Sequence, residues 1–322
     1  MRLNTYRWLR PNALLATLAL ASVGGGVAAA STTAPVRLAD SHIIAHLNWK
    51  AGETPENIVA APHGAVDVTF AAARQVDAIS AAGRVTVLAT LPAPPKSAKT
   101  PALGFPLTVG LQKVGNTLYA LYATGDSSTT GLWRLRSGQT PARIAALPAN
   151  GLPNGMTFDQ ATHSFYVADS INGVIDQIPL GGGRASVFAK SPAFRRTKFL
   201  GVNGVRLHDG ALWASNFDLG TVLRVSLSGS GTQHRVHTVA SGLKGIDDFG
   251  FAPGGKGVLA AIDPASEVDL INRAGSHRVL LSAKDGLSNP TAVLVRGNTV
   301  DVTSAAYVTQ RDPNLLVAQL KK

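Results

Sequence analysis

Six copies of one short pattern run through this chain. The clearest are Asn154-Gly155-Met156-Thr157-Phe158, continuing to Phe165-Tyr166-Val167-Ala168-Asp169, and Asn203-Gly204-Val205-Arg206-Leu207, continuing to Leu212-Trp213-Ala214-Ser215-Asn216. Weaker copies begin at Glu56, Val109, Asp247 and Thr291, so that successive starts lie 53, 45, 49, 44 and 44 residues apart. That spacing is the length of a four-stranded propeller blade, not of a helical repeat. Within the fourth copy, Asn203 to Leu207, Ala211 to Ser215, Gly220 to Leu227 and His234 to Ala240 alternate apolar with polar side chains and are separated by turn residues such as His208-Asp209-Gly210. Period-two alternation bounded by Gly, Asp and Asn marks strands. The fold expected is therefore all-β: a six-bladed β-propeller built as one closed ring.

The ends of the chain suggest how that ring closes. The sixth copy runs out after its third strand, Asn314 to Leu320, while His42 to Leu47 has the pattern of an outer strand and precedes the first copy. Pairing of these two segments is expected, because it removes two free sheet edges. The connections Pro92 to Gly104 and Ser191 to Leu200 are longer than blade turns require. Both lead into inner strands, which places them on the rim where those strands begin, where substrate-contacting loops are often found.

Residues 1–30 are set apart from the repeat. Arg2, Arg7 and Arg10 precede an apolar run from Ala13 to Val23, and Ala28-Ala29-Ala30 stand before Ser31. This is the layout of a secretory signal peptide, too short in its apolar part for a stable membrane span. The mature protein is expected to comprise residues 31–322 as a single propeller domain, without membrane insertion after cleavage. It is expected to be secreted or periplasmic, and the chain has no cysteine to form a disulfide framework or carry a lipid. Loss of the leader leaves 27 basic against 19 acidic residues, a net charge of +8 compared with +11 for the whole chain. The basic residues are scattered, without the clustered basic face and interleaved aromatics that nucleic-acid binding requires. A small-molecule ligand and a monomeric state are the expectations.

Equivalent positions on six inner strands face one axis. The six pattern starts are Glu56, Val109, Asn154, Asn203, Asp247 and Thr291, and four of them carry a carboxylate or an amide. Turn chemistry accounts for Asn-Gly pairs, but two acids facing each other across a narrow channel repel unless a cation offsets them. Oxygen donors of this kind suit one divalent metal ion, with Ca²⁺ foremost and Mg²⁺, Mn²⁺ or Zn²⁺ accepted by the same set. Zinc-type histidine clusters, a Gly-x-Ser-x-Gly elbow, a phosphate-binding loop and a dinucleotide fingerprint are all absent from the sequence.

Taken together, Glu56, the run Leu152-Pro153-Asn154-Gly155 with Tyr166 to Ser170, Val202-Asn203-Gly204, Asp247 and Pro290-Thr291 resemble the gluconolactonase, regucalcin (senescence marker protein) and luciferin-regenerating-enzyme family of six-bladed propellers. The resemblance implies a metal held by Glu56, Asn203 and Asp247, with Asn154 contacting substrate or metal-bound water. It also implies hydrolysis of a lactone or related ester, with Asp247 helping to activate water. Two departures bear on specificity: Leu152 stands where sugar-lactonase members commonly have an arginine, and Glu56-Asn57-Ile58 replaces the usual Glu, small residue and Pro. Asp169, Asn216 and Asp263, at the ends of second strands, return to the same rim and are further candidates for substrate binding, the alternative being side chains that close the turn to the third strand. Asp248 is expected to point away from the channel, because successive strand residues face opposite sides. The alternative reading is a non-enzymatic binding or scaffold propeller with a structural metal or a solvated polar channel.

Overall fold

The computed structural model describes residues 36–321. The leader expected at 1–30 and residues 31–35 lie outside the described residues. Six antiparallel four-stranded sheets follow one another, and the inner strand of each blade opens it: Pro55–Ala60, Leu107–Val114, Pro153–Asp159, Val202–His208, Ile246–Ala252 and Pro290–Arg296. Each inner strand contacts the inner strands of both neighbours, so the ring is closed. The core lies between the blades. One apolar cluster joins Leu111's neighbours Val109 and Leu121 of blade 2 to Met156, Phe165 and Val167 of blade 3, and another joins Leu259 and Val268 of blade 5 to Val293 and Val302 of blade 6. Among the described residues, no helix is long and apolar enough to cross a membrane.

The last blade is completed by the N-terminal strand, as the sequence suggests. Arg37–His46 pairs antiparallel with Asn314–Lys321, with His42 opposite Val317 and His46 opposite Asn314. The strand starts five residues earlier than the pattern His42 to Leu47 indicates, and register shifts after Ala39 and Ile43 keep its two halves in phase. Leu47 lies just past the strand, buried, with its N–H donating to Pro313 O at 2.8 Å.

All six inner strands also share one irregularity. The register slips between Pro55 and Ile58, Thr108 and Leu111, Pro153 and Met156, Val202 and Val205, Ile246 and Phe249, and Pro290 and Ala292. A β-bulge inserts an extra residue and re-aims the side chains around it. In consequence the Asn-Gly pairs are bulge residues instead of turns. Their glycines allow close approach of neighbouring blades: a Cβ on Gly155 would lie 2.5 Å from Asn203 O, and one on Gly204 would lie 2.6 Å from the Asp248 carboxylate.

Deleting residues 42–47 is expected to lower stability by about 4 kcal/mol, from the lost burial of Leu47, Ile43 and Ile44 at roughly 1.5–3 kcal/mol for each side chain fully buried. Thermal melting checks this, and a truncated chain that melts with the parent contradicts the closure.

Candidate active site

At the rim where the inner strands begin, the channel opens into a cavity of about 400 Å³. Its lining includes Glu56, Asn154, Asn203, Asp247 and Asp263, along with Tyr307. The bulges aim the first four at the axis, and Asp263 follows directly on the second strand of blade 5, Gly257–Ile262. The Asn203 amide donates to Asp247 Oδ1 at 2.8 Å, which leaves Asn203 Oδ1 buried without a partner. The Tyr307 hydroxyl donates to Glu56 Oε1. Asp263 Oδ1 is also buried and unpartnered. Asn154 is half-buried, with its side chain in the lining of the same cavity.

These acids resist ionisation. Burial, with the nearby carboxylates of Asp263 and Asp248 adding to it, pushes Glu56 up to about 8, against the opposing bond from Tyr307. Asp247 is raised well above the ordinary aspartate range by burial, then by Glu56, Asp263 and Asp248. Burial lifts Asp263 to about 7. The Tyr307 phenol is raised well above 10 by burial and the same acids, so it stays a neutral donor. Several acids sharing a desolvated site must hold protons or be offset by a cation.

A second layer closes the channel beneath. At the position after each pattern start stand Asn57, Gly110, Gly155, Gly204, Asp248 and Ala292. Asp248 does not point away. It is buried and accepts a hydrogen bond from Asn57 Nδ2 at 2.8 Å, a contact from blade 5 across the channel to blade 1. It is also bonded to the Arg206 guanidinium, whose Nε reaches Phe249 O at 3.2 Å. The strict alternation expected from an uninterrupted strand fails here because the bulge breaks it.

Asp169 and Asn216 are not brought to the cavity. Asp169 Oδ1 accepts from the N–H groups of Leu152, Ile171 and Asn172 at 3.0, 3.0 and 2.9 Å, closing a turn. Asn216 Nδ2 donates to Ala193 O and Arg195 O at 2.9 and 3.0 Å, and its Oδ1 accepts from Leu219 N at 3.0 Å. Both are buried and engaged in turn closure. Thr291 donates to Pro55 O at 2.8 Å and joins blade 6 to blade 1.

Three features around the site were not singled out by the repeat pattern. Tyr307 lies in the connection between the second and third strands of blade 6, where no copy of the pattern reaches. Ser215 is a buried relay whose Oγ accepts from Gly204 N at 2.7 Å and donates to Asp247 O, so it fixes the backbone that carries two acids. Asp218 accepts from the N–H groups of Thr197, Lys198 and Phe199 at 2.7, 2.6 and 2.9 Å and from Leu200 N at 3.3 Å. Although burial works against it, these amides hold its carboxyl below the ordinary range. The run of polar loop residues ahead of Phe199 was the available signal for an anchored loop, but nothing in it points to Asp218.

Donor chemistry at the cavity floor fits a hard divalent ion: every polar donor atom there is oxygen, and Asn203 presents an acceptor without a partner. Among the described residues, no three His, Cys, Asp or Glu side chains are grouped so as to hold a metal by themselves. A metal there depends on the asparagine amides.

No protein-family model and no curated protein matches the chain. Solved structures match in fold. A proposed gluconolactonase is 16% identical, the match covering 88% of this chain and 92% of that one with a TM-score of 0.60. The PQQ-bound aldose sugar dehydrogenase of Streptomyces coelicolor is 14% identical over 89% of this chain and 98% of its own, with a TM-score of 0.62. A catalytically inactive virginiamycin B lyase from Staphylococcus aureus, solved with quinupristin, is 14% identical over 84% and 82% with a TM-score of 0.58. Likeness at this level shows the propeller fold, which these proteins carry with different activities.

Ser215→Ala would strand the N–H of Gly204 and the carbonyl of Asp247 in a dry interior, and is expected to cost about 1–3 kcal/mol in chemical denaturation. An unchanged midpoint contradicts the relay. Stability should also depend on pH in a defined direction. Glu56 at about 8 and Asp263 at about 7 are joined by Asp176 at about 7 and Asp77 at about 6, both raised first by burial. Each binds its proton more tightly when folded than when unfolded, where carboxylates titrate near about 4. Their contribution is complete below that value and is lost as pH rises through the folded values. The chelator-treated protein is therefore expected to melt at progressively lower temperature from pH 5.5 to 8.5, and Glu56→Gln to flatten part of that fall. A melting temperature that rises over this interval contradicts the assignment.

Proposed function

We propose that this chain is an exported hydrolase of lactones or related esters, working with one divalent cation on the propeller axis. The observation that supports this reading most strongly is the oxygen set at the cavity floor, where two buried acceptors, Asn203 Oδ1 and Asp263 Oδ1, have no partner. Glu56, Asn203 and Asp247 would hold the ion, Ca²⁺ foremost, with Mg²⁺, Mn²⁺ or Zn²⁺ as alternatives. When bound, such an ion polarises an ester carbonyl and makes a nearby water more acidic. The leader-like N-terminus supports export to the periplasm or the medium.

The chain's own residues do the rest. Asn154 is free to donate from its amide to the substrate carbonyl oxygen and so orients the ester. Asp247 is gripped by Asn203 and belongs to the ion-holding set, so the proton falls to Asp263. Its value of about 7 suits a base that must accept and return a proton near neutral pH. Water oxygen bonds to the carbonyl carbon as Asp263 takes a proton. The ring C–O bond then breaks, the ring oxygen takes that proton back, and a hydroxy acid leaves. Tyr307 keeps Glu56 in place through its hydroxyl.

A second reading draws on those same pairs. Tyr307 with Glu56 and Asn203 with Asp247 satisfy two acids without any reaction, as a ligand-binding or scaffold propeller would need. The enzyme reading expects Asp247→Ala to abolish lactone hydrolysis while its circular dichroism matches the parent. It expects Asp263→Asn to lower kcat by about 10²–10⁴ and to remove the limb of the pH–rate profile near neutrality. Undiminished hydrolysis by Asp247→Ala overturns this reading.

A further inference from the structure

We infer that the substrate of this cavity carries an extended apolar body, an alkyl or aryl group attached to the ester ring, and is not a polyhydroxylated sugar lactone. The inference rests on the hydrolase reading for the word substrate, while the apolar recognition it describes stands on the cavity walls.

The polar side chains of the cavity are gathered at one end, on the floor. The walls above them are formed by Leu103, Phe105, Leu152, Phe199, Phe217 and Val308. These come from separate connections that converge on one mouth. Three of them are apolar side chains left in water: Phe105 at 36% exposure, Phe199 at 37% and Val308 at 72%. Exposed apolar groups scattered singly need no explanation, but several rimming one concave opening mark a binding surface.

The wall is also held in place. Asp218 clamps the N–H groups of residues 197–200, and the Phe199 ring meets Phe217 edge-on with centroids 5.7 Å apart. An aromatic side chain fixed at a mouth before the ligand arrives reduces the ordering penalty of binding.

A sugar lactone needs a hydrogen-bond partner for each ring hydroxyl it buries, since an unpaired buried hydroxyl is costly. Leu152, in the cavity lining beside Asn154, is buried and apolar and offers such hydroxyls nothing. Asp169 and Asn216, the other two groups that could have met hydroxyls, close turns instead. The walls offer contact to carbon.

Binding can be read without turnover by using lactams, which keep the ring and carbonyl but resist hydrolysis. Calorimetry on the purified full chain would compare unsubstituted 2-piperidone, 2-piperidones with alkyl chains of three and seven carbons at C6, and glucono-δ-lactam. Affinity is expected to rise about fourfold per fully buried methylene over the first carbons, with glucono-δ-lactam the weakest. Phe199→Ser and Val308→Ser, at exposed positions that do not test folding, should each remove much of the chain-length dependence, and Asp218→Asn should weaken the alkyl lactams without weakening 2-piperidone. Equal or tighter binding of glucono-δ-lactam overturns the inference and leaves the hydrolase reading intact. Chain-length-dependent lactam binding without hydrolysis of the matching lactones under any of the four cations does the reverse.

Discussion

A single displaced residue in each inner strand governs how this molecule is built around its axis. A regular strand would show the channel every second side chain. With a bulge at the same height in all six blades, two successive positions serve the axis instead: Glu56, Asn154, Asn203 and Asp247 above, Asn57 and Asp248 below. The extra residue brings neighbouring backbones so close that Gly110, Gly155 and Gly204 have no room for a Cβ. Hydroxyls of the second strands satisfy the amides the bulge frees: Thr69 accepts from Asn57 N at 2.9 Å and Ser215 from Gly204 N at 2.7 Å. Each also donates to the next blade, Thr69 to Val109 O at 2.7 Å and Ser215 to Asp247 O. Fold and site therefore share one set of contacts.

From this arrangement comes an electrostatic conflict. The chain is basic overall, at +11, yet its axis concentrates acids. In the lower layer burial raises the Asp248 carboxyl too, but Arg206 and Asn57 offset part of that rise. In the upper layer Glu56, Asp247 and Asp263 have only neutral partners or none, and burial raises all three carboxyls above the ordinary range. Under the proposed function, such a layer would exchange protons for a cation. The apolar walls around it strengthen the effect, because they lower the local dielectric in which these charges interact.

Much of this was legible in the sequence for a physical reason. Blade length, alternation and the outer-strand character of His42 to Leu47 are set by local periodicity, and the closing strand pairs as that pattern requires. The upper axial ring was legible because equivalent positions in a closed ring must converge. Bulges were not, since the Asn-Gly pairs that form them look the same as turns; the misplacement of Asp248 followed from that. For Asp169 and Asn216 substrate contact and turn closure were both open; local partners such as Ile171, Asn172 and Leu219 favour closure, while the bonds to Leu152, Ala193 and Arg195 come from connections that local pattern does not bring near. Tyr307 and the loop-clamping Asp218 lie off the repeat, where position in sequence carries no information about position on the axis.

The central claim is that the upper acids form a cation site. It is tested most directly by thermal-shift titration of the chelator-treated chain with Ca²⁺, Mg²⁺, Mn²⁺ and Zn²⁺ beside Glu56→Gln and Asp247→Ala. The account predicts a saturable rise in melting temperature with at least one ion, lost in both variants, as expected for a ligand that binds only the folded state. No rise with any ion, or a rise that both variants keep, would contradict it and leave the ring of oxygens as a solvated channel.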